Sequence, residues 1–264
     1  MIPKIIHFVW VGNNPKPELV LKCIASWKRY CPDYEIREWG NEDVYKIDNQ
    51  YVKQAFENRK YAFVSDYIRL YALNTYGGFY VDTDLEITAP IDKFRDYQFV
   101  IGYEIHNNKA FPMSAFIACV KNNKIISDLL KEYDYIPFIV NGVMDQTTNV
   151  VRMSKYFSKK YNLKEPYNGD VMTVLEPLTI IFPSHFFCTP VKDKDNYAIH
   201  YFTGSWVDPY IRKELFTIGN YKVVKFKRRP NKEGMVPLFQ GEKKIFEIEC
   251  FKKKYCILFL EEKQ

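Results

Sequence analysis

Asp82 and Asp84 stand one residue apart at the end of the run Gly77-Gly78-Phe79-Tyr80-Val81. Side chains alternate along a strand, so two such carboxylates point the same way. Like charges that close are costly unless a cation neutralises them. Their hard oxygens suit magnesium or manganese, ions that commonly bridge a protein to phosphate. Alone, an Asp-x-Asp triplet more often marks a solvated turn. Here it follows an apolar helix pattern, a glycine pair and three apolar residues. That setting puts it at the carboxyl end of a buried strand, where open α/β sheets bind ligands.

Three further groups could complete such a site. Asp66 and Arg69 are the only charged residues of YAFVSDYIRLYALNTY, and at i and i+3 they share one helix face. A structural ion pair is the competing reading. A helix this apolar would be more stable without buried charge, however, so a role in holding sugar hydroxyls or phosphate has the greater weight. Trp10 ends the first apolar run; composition favours a core aromatic, whereas a stacking platform for a nucleobase is the functional reading. His200 precedes Gly204-Ser205-Trp206, whose hydroxyl and indole N–H can reach a phosphate. His7, His106 and His185 have no such surroundings and read as structural.

The elements that must position these residues follow from periodicity. Ile5 to Val11 reads as a buried strand, Leu19 to Tyr30 as a helix, Tyr34 to Trp39 as a strand and Val44 to about Asn58 as a helix. The alternation predicts an α/β layer fold with a largely parallel sheet. Tyr61 to Tyr76 is apolar on nearly every face, a helix buried within the fold; Gly77 and Gly78 stop it. Beyond lie a strand at 100–103, helices at 124–133 and 148–160, and strands at 174–182 and 198–202. The tail alternates Lys with apolar residues (YKVVKFK, KKIFEIE), the pattern of a small β appendage.

Nearly half of the 264 residues are apolar, which suits a sizeable core and argues against global disorder. Charge is uneven: residues 222–264 hold twelve Lys or Arg against six Glu, equal to the entire net charge of +6. The expected organisation is a neutral catalytic domain over 1–221 and a basic appendage over 222–264. Such an appendage can dock on an anionic membrane surface, or be a solvated face. No nucleic-acid motif accompanies it. The six cysteines form no Cys-x-x-Cys pair or zinc spacing. With no secretory signal and no apolar run near the roughly 20 residues that span a bilayer, the expectation is a cytoplasmic protein with reduced thiols, working at the inner face of the plasma membrane.

These motifs resemble, in the same order, those of the sugar-binding Asp-x-Asp glycosyltransferases, the family 32-like group. It includes initiating mannosyltransferases, bacterial capsular polysaccharide transferases and the glucosyltransferase domains of clostridial toxins. The matching segments are Ile2 to Gly12, Ser26-Trp27, the run Tyr61 to Arg69, Gly77 to Asp84, and His200 with Ser205-Trp206. They cover roughly the first 92 residues and 198–206, and little between.

The resemblance implies a GT-A fold with a small β-rich C-terminal appendage, a manganese or magnesium ion, and retention of anomeric configuration. A hexose would pass from a nucleotide-sugar, with UDP-hexose the expected donor, to a glycan or lipid-linked glycan in capsular polysaccharide synthesis. It implies Val9, Trp10 and Tyr80 on the nucleoside and Ser205 and Trp206 over the diphosphate. Asp66 and Arg69 fall on the donor sugar, Asp82 on ribose and sugar, Asp84 on the metal, and His200 on the metal as in a related retaining family. Many relatives carry Thr-Gly-Pro in mid-chain; here Asp145-Gln146-Thr147-Thr148-Asn149 occupies the matching region, making Asp145 and Gln146 the acceptor-side candidates. A metal-dependent phosphohydrolase is the rival enzyme, disfavoured by Glu86 where that motif has Thr or Val. A non-catalytic anionic-surface module is the rival outside enzymes.

Overall fold

The computed structural model describes residues 1–106 and 108–203 and, further on, the backbone of strands at 213–218, 221–225, 235–240, 243–249 and 256–259. It divides into two compact units, Met1–Phe202 and Thr203–Gln264. In chain order the first unit contains β1 (Ile5–Val9), α1 (Glu18–Tyr30), β2 (Glu35–Trp39), α2 (Asn41–Lys46), α3 (Gln50–Glu57), α4 (Tyr61–Tyr76), β3 (Gly78–Val81), β4 (Leu85–Ile87), β5 (Phe99–His106) and β6 (Lys109–Cys119). It continues with α5 (Lys124–Glu132), β7 (Ile139–Val140), β8 (Val143–Met144), α6 (Asn149–Tyr161), β9 (Thr173–Glu176), β10 (Thr179–Phe182), α7 (Ser184–Phe187) and β11 (Ala198–His200).

Seven strands form one sheet in the order β2-β1-β3-β6-β5-β10-β9. β2, β1 and β3 are mutually parallel, β6 is inserted antiparallel, β5 and β10 resume the first direction, and β9 closes the edge antiparallel. Five of the seven strands therefore run one way. This is the mostly parallel α/β sheet expected. Alternation along each strand sorts side chains onto two cores. Val9, Tyr80, Phe99, Ile101 and Tyr103 face α4, α5 and α6. Ile6, Phe8, Phe79, Val81 and Val100 face α1, α7 and the β4–β11 pair.

Two expected elements are broken. The helix from Val44 to about Asn58 is α2 and α3, because the Asn49 side chain accepts the Val52 N–H at 3.1 Å and starts a new helix. The strand at 174–182 is the hairpin of β9 and β10, turned at Leu178 with φ 61°. β6, unforeseen, is the longest strand at 11 residues. Beyond Phe202, β12 (Lys213–Ile218) pairs with β13 (Tyr221–Lys225), β14 (Met235–Gln240) with β15 (Lys243–Glu249), and β13 with β16 (Cys256–Phe259). The β12–β13 pairing spans Tyr221, where the charge step lies, and the second unit begins earlier, at Thr203.

The link from α4 to β3 aims the acidic motif. Gly77 and Gly78 have φ of 69° and 101°. A Cβ on Gly77 would lie 2.6 Å from the Lys121 nitrogen, and one on Gly78 2.7 Å from the Ile5 carbonyl oxygen. Only glycine satisfies both the conformation and the close approach.

His7, fully buried on β1, braces the same link. Its Nε2 donates to the Gly77 carbonyl at 2.9 Å, and its Nδ1 accepts from Trp39 Nε1 at 3.2 Å. Burial lowers the imidazole pKa to about 4, against the Gly77 hydrogen bond. Because the folded value lies below the unfolded one, this contribution is complete above about pH 6.5 and is lost as pH falls toward 4. We expect the wild type to lose on the order of 3 kcal/mol across that window through His7, measured by urea unfolding at several pH values. His7→Gln should flatten the curve, and an unchanged slope would assign the loss elsewhere.

Candidate active site

The carboxyl ends of β1 and β3 lie at the same edge of the sheet, bringing Trp10 and the acidic motif to one side. Asp82 leaves β3 with its N–H on the Ala115 carbonyl at 2.9 Å, and its own carbonyl accepts the Leu85 N–H at 3.0 Å, closing a tight turn. That turn is held from below by the Ser26-Trp27 motif. Trp27 Nε1 donates to the Leu85 carbonyl at 2.8 Å, and Ser26 Oγ accepts the Ile87 N–H at 3.0 Å. The motif is thus a buried support for the segment after Asp84.

On the α4 side, Arg69 is the hub. It is 4% exposed. Its Nη1 donates to the Ser114 carbonyl at 2.7 Å, and Nη2 reaches Asp82 Oδ1 at 3.1 Å and Asp66 Oδ1 at 3.3 Å. The guanidinium carbon sits 4.6 Å from the centre of the Tyr80 ring. Asp66 has a second partner: its Oδ2 accepts the Asn149 N–H at 3.0 Å, at the first turn of α6, where the helix dipole favours a negative charge. Asn149 returns a bond from Nδ2 to the Asp66 carbonyl at 2.8 Å and accepts the Tyr133 hydroxyl at 2.7 Å. Burial pushes the Asp66 carboxyl up to about 6, and Arg69 and the Asn149 amide limit that rise.

On the opposite side, β11 pairs antiparallel with β4, setting His200 against Leu85. The Tyr201 N–H on the Asp84 carbonyl (3.0 Å) and the His200 N–H on the Cys188 carbonyl (3.0 Å) fix the strand. His200 Nε2 lies 3.4 Å from Asp84 Oδ1. One ligand atom each from Asp82, Asp84 and His200 falls within 4.8 Å of the others. Burial alone would lower the imidazole, but hydrogen bonding to Asp84 and the nearby carboxylates raise it to about 10. Two carboxylates and an imidazole, converging and partly accessible, fit a manganese or magnesium ion, which would displace that proton.

The predicted residues separate accordingly. Asp66, Arg69, Asp82, Asp84 and His200 form one connected group. Asp82 Oδ1 is already committed to Arg69 and to the Tyr80 hydroxyl, at 2.9 Å, while Asp84 Oδ1 faces His200. Tyr80, expected on the nucleoside, is 1% exposed and stands behind Asp82; its part is to hold that carboxylate. Val9 is buried in the α4-side core. Trp10 is half-buried, with Nε1 on the Asn14 carbonyl at 3.0 Å and the Lys16 ammonium 5.8 Å from its ring.

Asp145 caps its own loop through the Thr147 N–H at 2.9 Å and pairs with Arg152, so its carboxylate is occupied in shaping the approach to α6. Gln146 is exposed. Ser205 and Trp206 lie outside the described residues. Asn149 and Ser114 escaped sequence reasoning, since neither carries a motif; the first meets Asp66 across 83 positions of chain.

Residues 17–100 match the family described as "Glycosyltransferase sugar-binding region containing DXD motif". Asp82-Thr83-Asp84 is an Asp-x-Asp triplet within the matched residues. Among curated proteins it is similar to Subversion of eukaryotic traffic protein A of Legionella pneumophila, 26% identical over 157 residues, covering 48% of this chain and 24% of that protein. It is also similar to mannosyl phosphorylinositol ceramide synthase SUR1 of Saccharomyces cerevisiae, 25% identical over 213 residues, covering 73% of this chain and 51% of that one. The chain therefore spans about a quarter and about half of these relatives' lengths. Among solved structures, the PaToxG glycosyltransferase aligns with a TM-score of 0.44 at 20% identity, over 61% of this chain and 70% of that chain.

Proposed function

We propose that this protein is a retaining glycosyltransferase that moves a hexose from a nucleotide-sugar, a UDP-hexose, to a glycan or lipid-linked glycan. The observation that carries the reading is the convergence of Asp82, Asp84 and His200 beside the buried Arg69, within a chain that matches the sugar-binding region of this family. Asp84, Asp82 and His200 would hold the manganese or magnesium ion. Bound there, the ion supplies charge stabilisation for a departing diphosphate.

The protein's own groups do the rest. Arg69 orients Asp82 through its Nη2, and Asp66 with Arg69 forms the polar wall against which sugar hydroxyls align. Trp10 offers its ring to the base. Asp145 and Gln146 border the acceptor side. In this reading retention proceeds by front-face attack, with the attacking hydroxyl and the leaving diphosphate on one face of the sugar. The printed name of the yeast relative, a mannosyl phosphorylinositol ceramide synthase, supports a lipid-bearing acceptor. A cytoplasmic enzyme with its basic segment 222–264 against the anionic inner leaflet accords with that. Among the described residues no helix is long and apolar enough to cross a membrane.

A thermal-shift screen of nucleotide-sugars with and without manganese tests the reading. The correct donor at saturating concentration should raise Tm by about 5–10 °C, and only with the metal present. Uniform responses to all nucleotide-sugars, or none, would end it.

A further inference from the structure

Glu104 belongs to no motif, and its position is set by the sheet. β5 runs in the same direction as β1 and β3, so Glu104, near the end of β5, lies at the same carboxyl edge as Trp10 and Asp82. β6 alone separates β5 from β3, and its Ile117 pairs with both Ile101 and Tyr80, which sets the two backbones about 10 Å apart at that level; beyond it β6 bulges, and Glu104 pairs with Phe111. Where β6 passes between them, opposite Asp82, it carries the small residues Ser114 and Ala115.

Strand alternation sets the face. Val100 belongs to the core under β4 and β11, and a Cβ on Gly102 would meet Phe187 and Met113 of that core. Glu104 continues the same face, on the side of His200, while its neighbour Tyr103 turns to the α4 side. The charges of His200, Asp82, Arg69 and Asp84 all act on it.

Among the described residues the Glu104 carboxyl makes no hydrogen bond or ion pair, and it is only half-buried. A carboxyl with no hydrogen-bond partner of its own, in the field of two other carboxylates, is poorly explained by stability. Burial pushes its pKa above the usual carboxylate range, partly offset by His200.

Resting on the glycosyltransferase reading, we infer that Glu104 is a catalytic residue: it accepts the proton of the hydroxyl that attacks the anomeric carbon. In that step the attacking oxygen forms a bond to the anomeric carbon as the bond from that carbon to the phosphate oxygen breaks. The electron pair leaves on the diphosphate, and the hydroxyl proton passes to a Glu104 carboxylate oxygen. Asp82 and Asp84 mark the diphosphate side, and Glu104 stands on that side. A proton acceptor so placed serves an attack on the face the leaving group departs from. For an in-line attack the base would have to stand across the sugar from the ion.

Donor hydrolysis, with water as the attacking hydroxyl, tests this without the acceptor. UDP-sugar turnover and binding of manganese with UDP are measured on the wild type, Glu104→Gln and Glu104→Asp. The expected result is a fall in kcat of at least about 100-fold in Glu104→Gln, with UDP–manganese affinity within about threefold of wild type and partial recovery in Glu104→Asp. Wild-type kcat in Glu104→Gln would overturn the proton-acceptor role alone. A loss of UDP–manganese affinity that matches the loss of turnover would overturn it too, placing Glu104 on the ion. A wild type that hydrolyses no nucleotide-sugar would overturn both this role and the reading beneath it.

Discussion

Asp84→Asn should reduce donor hydrolysis and sugar transfer by about a thousandfold, the equivalent of several kcal/mol of charge stabilisation at a departing diphosphate. The substitution keeps shape and removes charge. The substitution also removes the carboxylate that faces His200, so Tm should fall while manganese-dependent UDP binding collapses. Asp82→Asn should act through a different partner. One Asp82 oxygen already serves Arg69 and Tyr80, so losing its charge unbalances the buried guanidinium, and stability should fall along with activity. Turnover on both variants, with Tm followed across pH, separates the two carboxylates, since Asp84 is the main group that holds His200 protonated. Asp84→Asn turnover at the wild-type level would exclude the metal role.

Arg69→Ala should cost about 3–5 kcal/mol of stability, the penalty for leaving one partner of a buried ion pair uncompensated. Removing the guanidinium strands the Asp66 carboxylate and the Ser114 carbonyl in the interior and frees Asp82. In a unit of this size that corresponds to a fall in Tm of about 10 °C. Arg69→Lys keeps the charge but cannot reach Asp66, Asp82 and Ser114 together, so it should recover only part of the loss. The diagnostic comparison is the double variant Asp66→Asn/Arg69→Ala. If the cost comes from uncompensated charge, the double variant should be less destabilised than the two single changes combined. Additive losses, or a loss below about 1 kcal/mol for Arg69→Ala, would mean that the pair is peripheral to stability.

Asp66 shows how one side chain can hold a contact that its own helix does not announce. Its spacing from Arg69 on an apolar helix was legible because helical periodicity is local. Its bond to the Asn149 amide was not, because it depends on how α6 docks against α4. Tyr80 illustrates the converse. The resemblance implied contact with a nucleoside, whereas strand alternation points the side chain inward beneath Arg69, with its hydroxyl on Asp82. The break between α2 and α3 turned on a single Asn49 cap within a continuous helical pattern. β6, apolar over most of its length, gave no periodic signal and is recognised only by its partners β3 and β5.

The sequence by itself determined the alternating α/β order, the buried helix Tyr61–Tyr76, the glycine pair behind the acidic motif, and the identity of Asp82 and Asp84. All of these are written in local periodicity and in residue types whose chemistry has few alternatives. Tertiary structure alone decided which groups meet. It brought His200 to Asp84 across the β4–β11 pairing, placed Ser26-Trp27 as a support beneath the motif, and set Glu104 at the shared sheet edge. Those contacts join segments far apart in the chain. They depend on strand order and register, which arise from the packing of the whole sheet against its two helical layers.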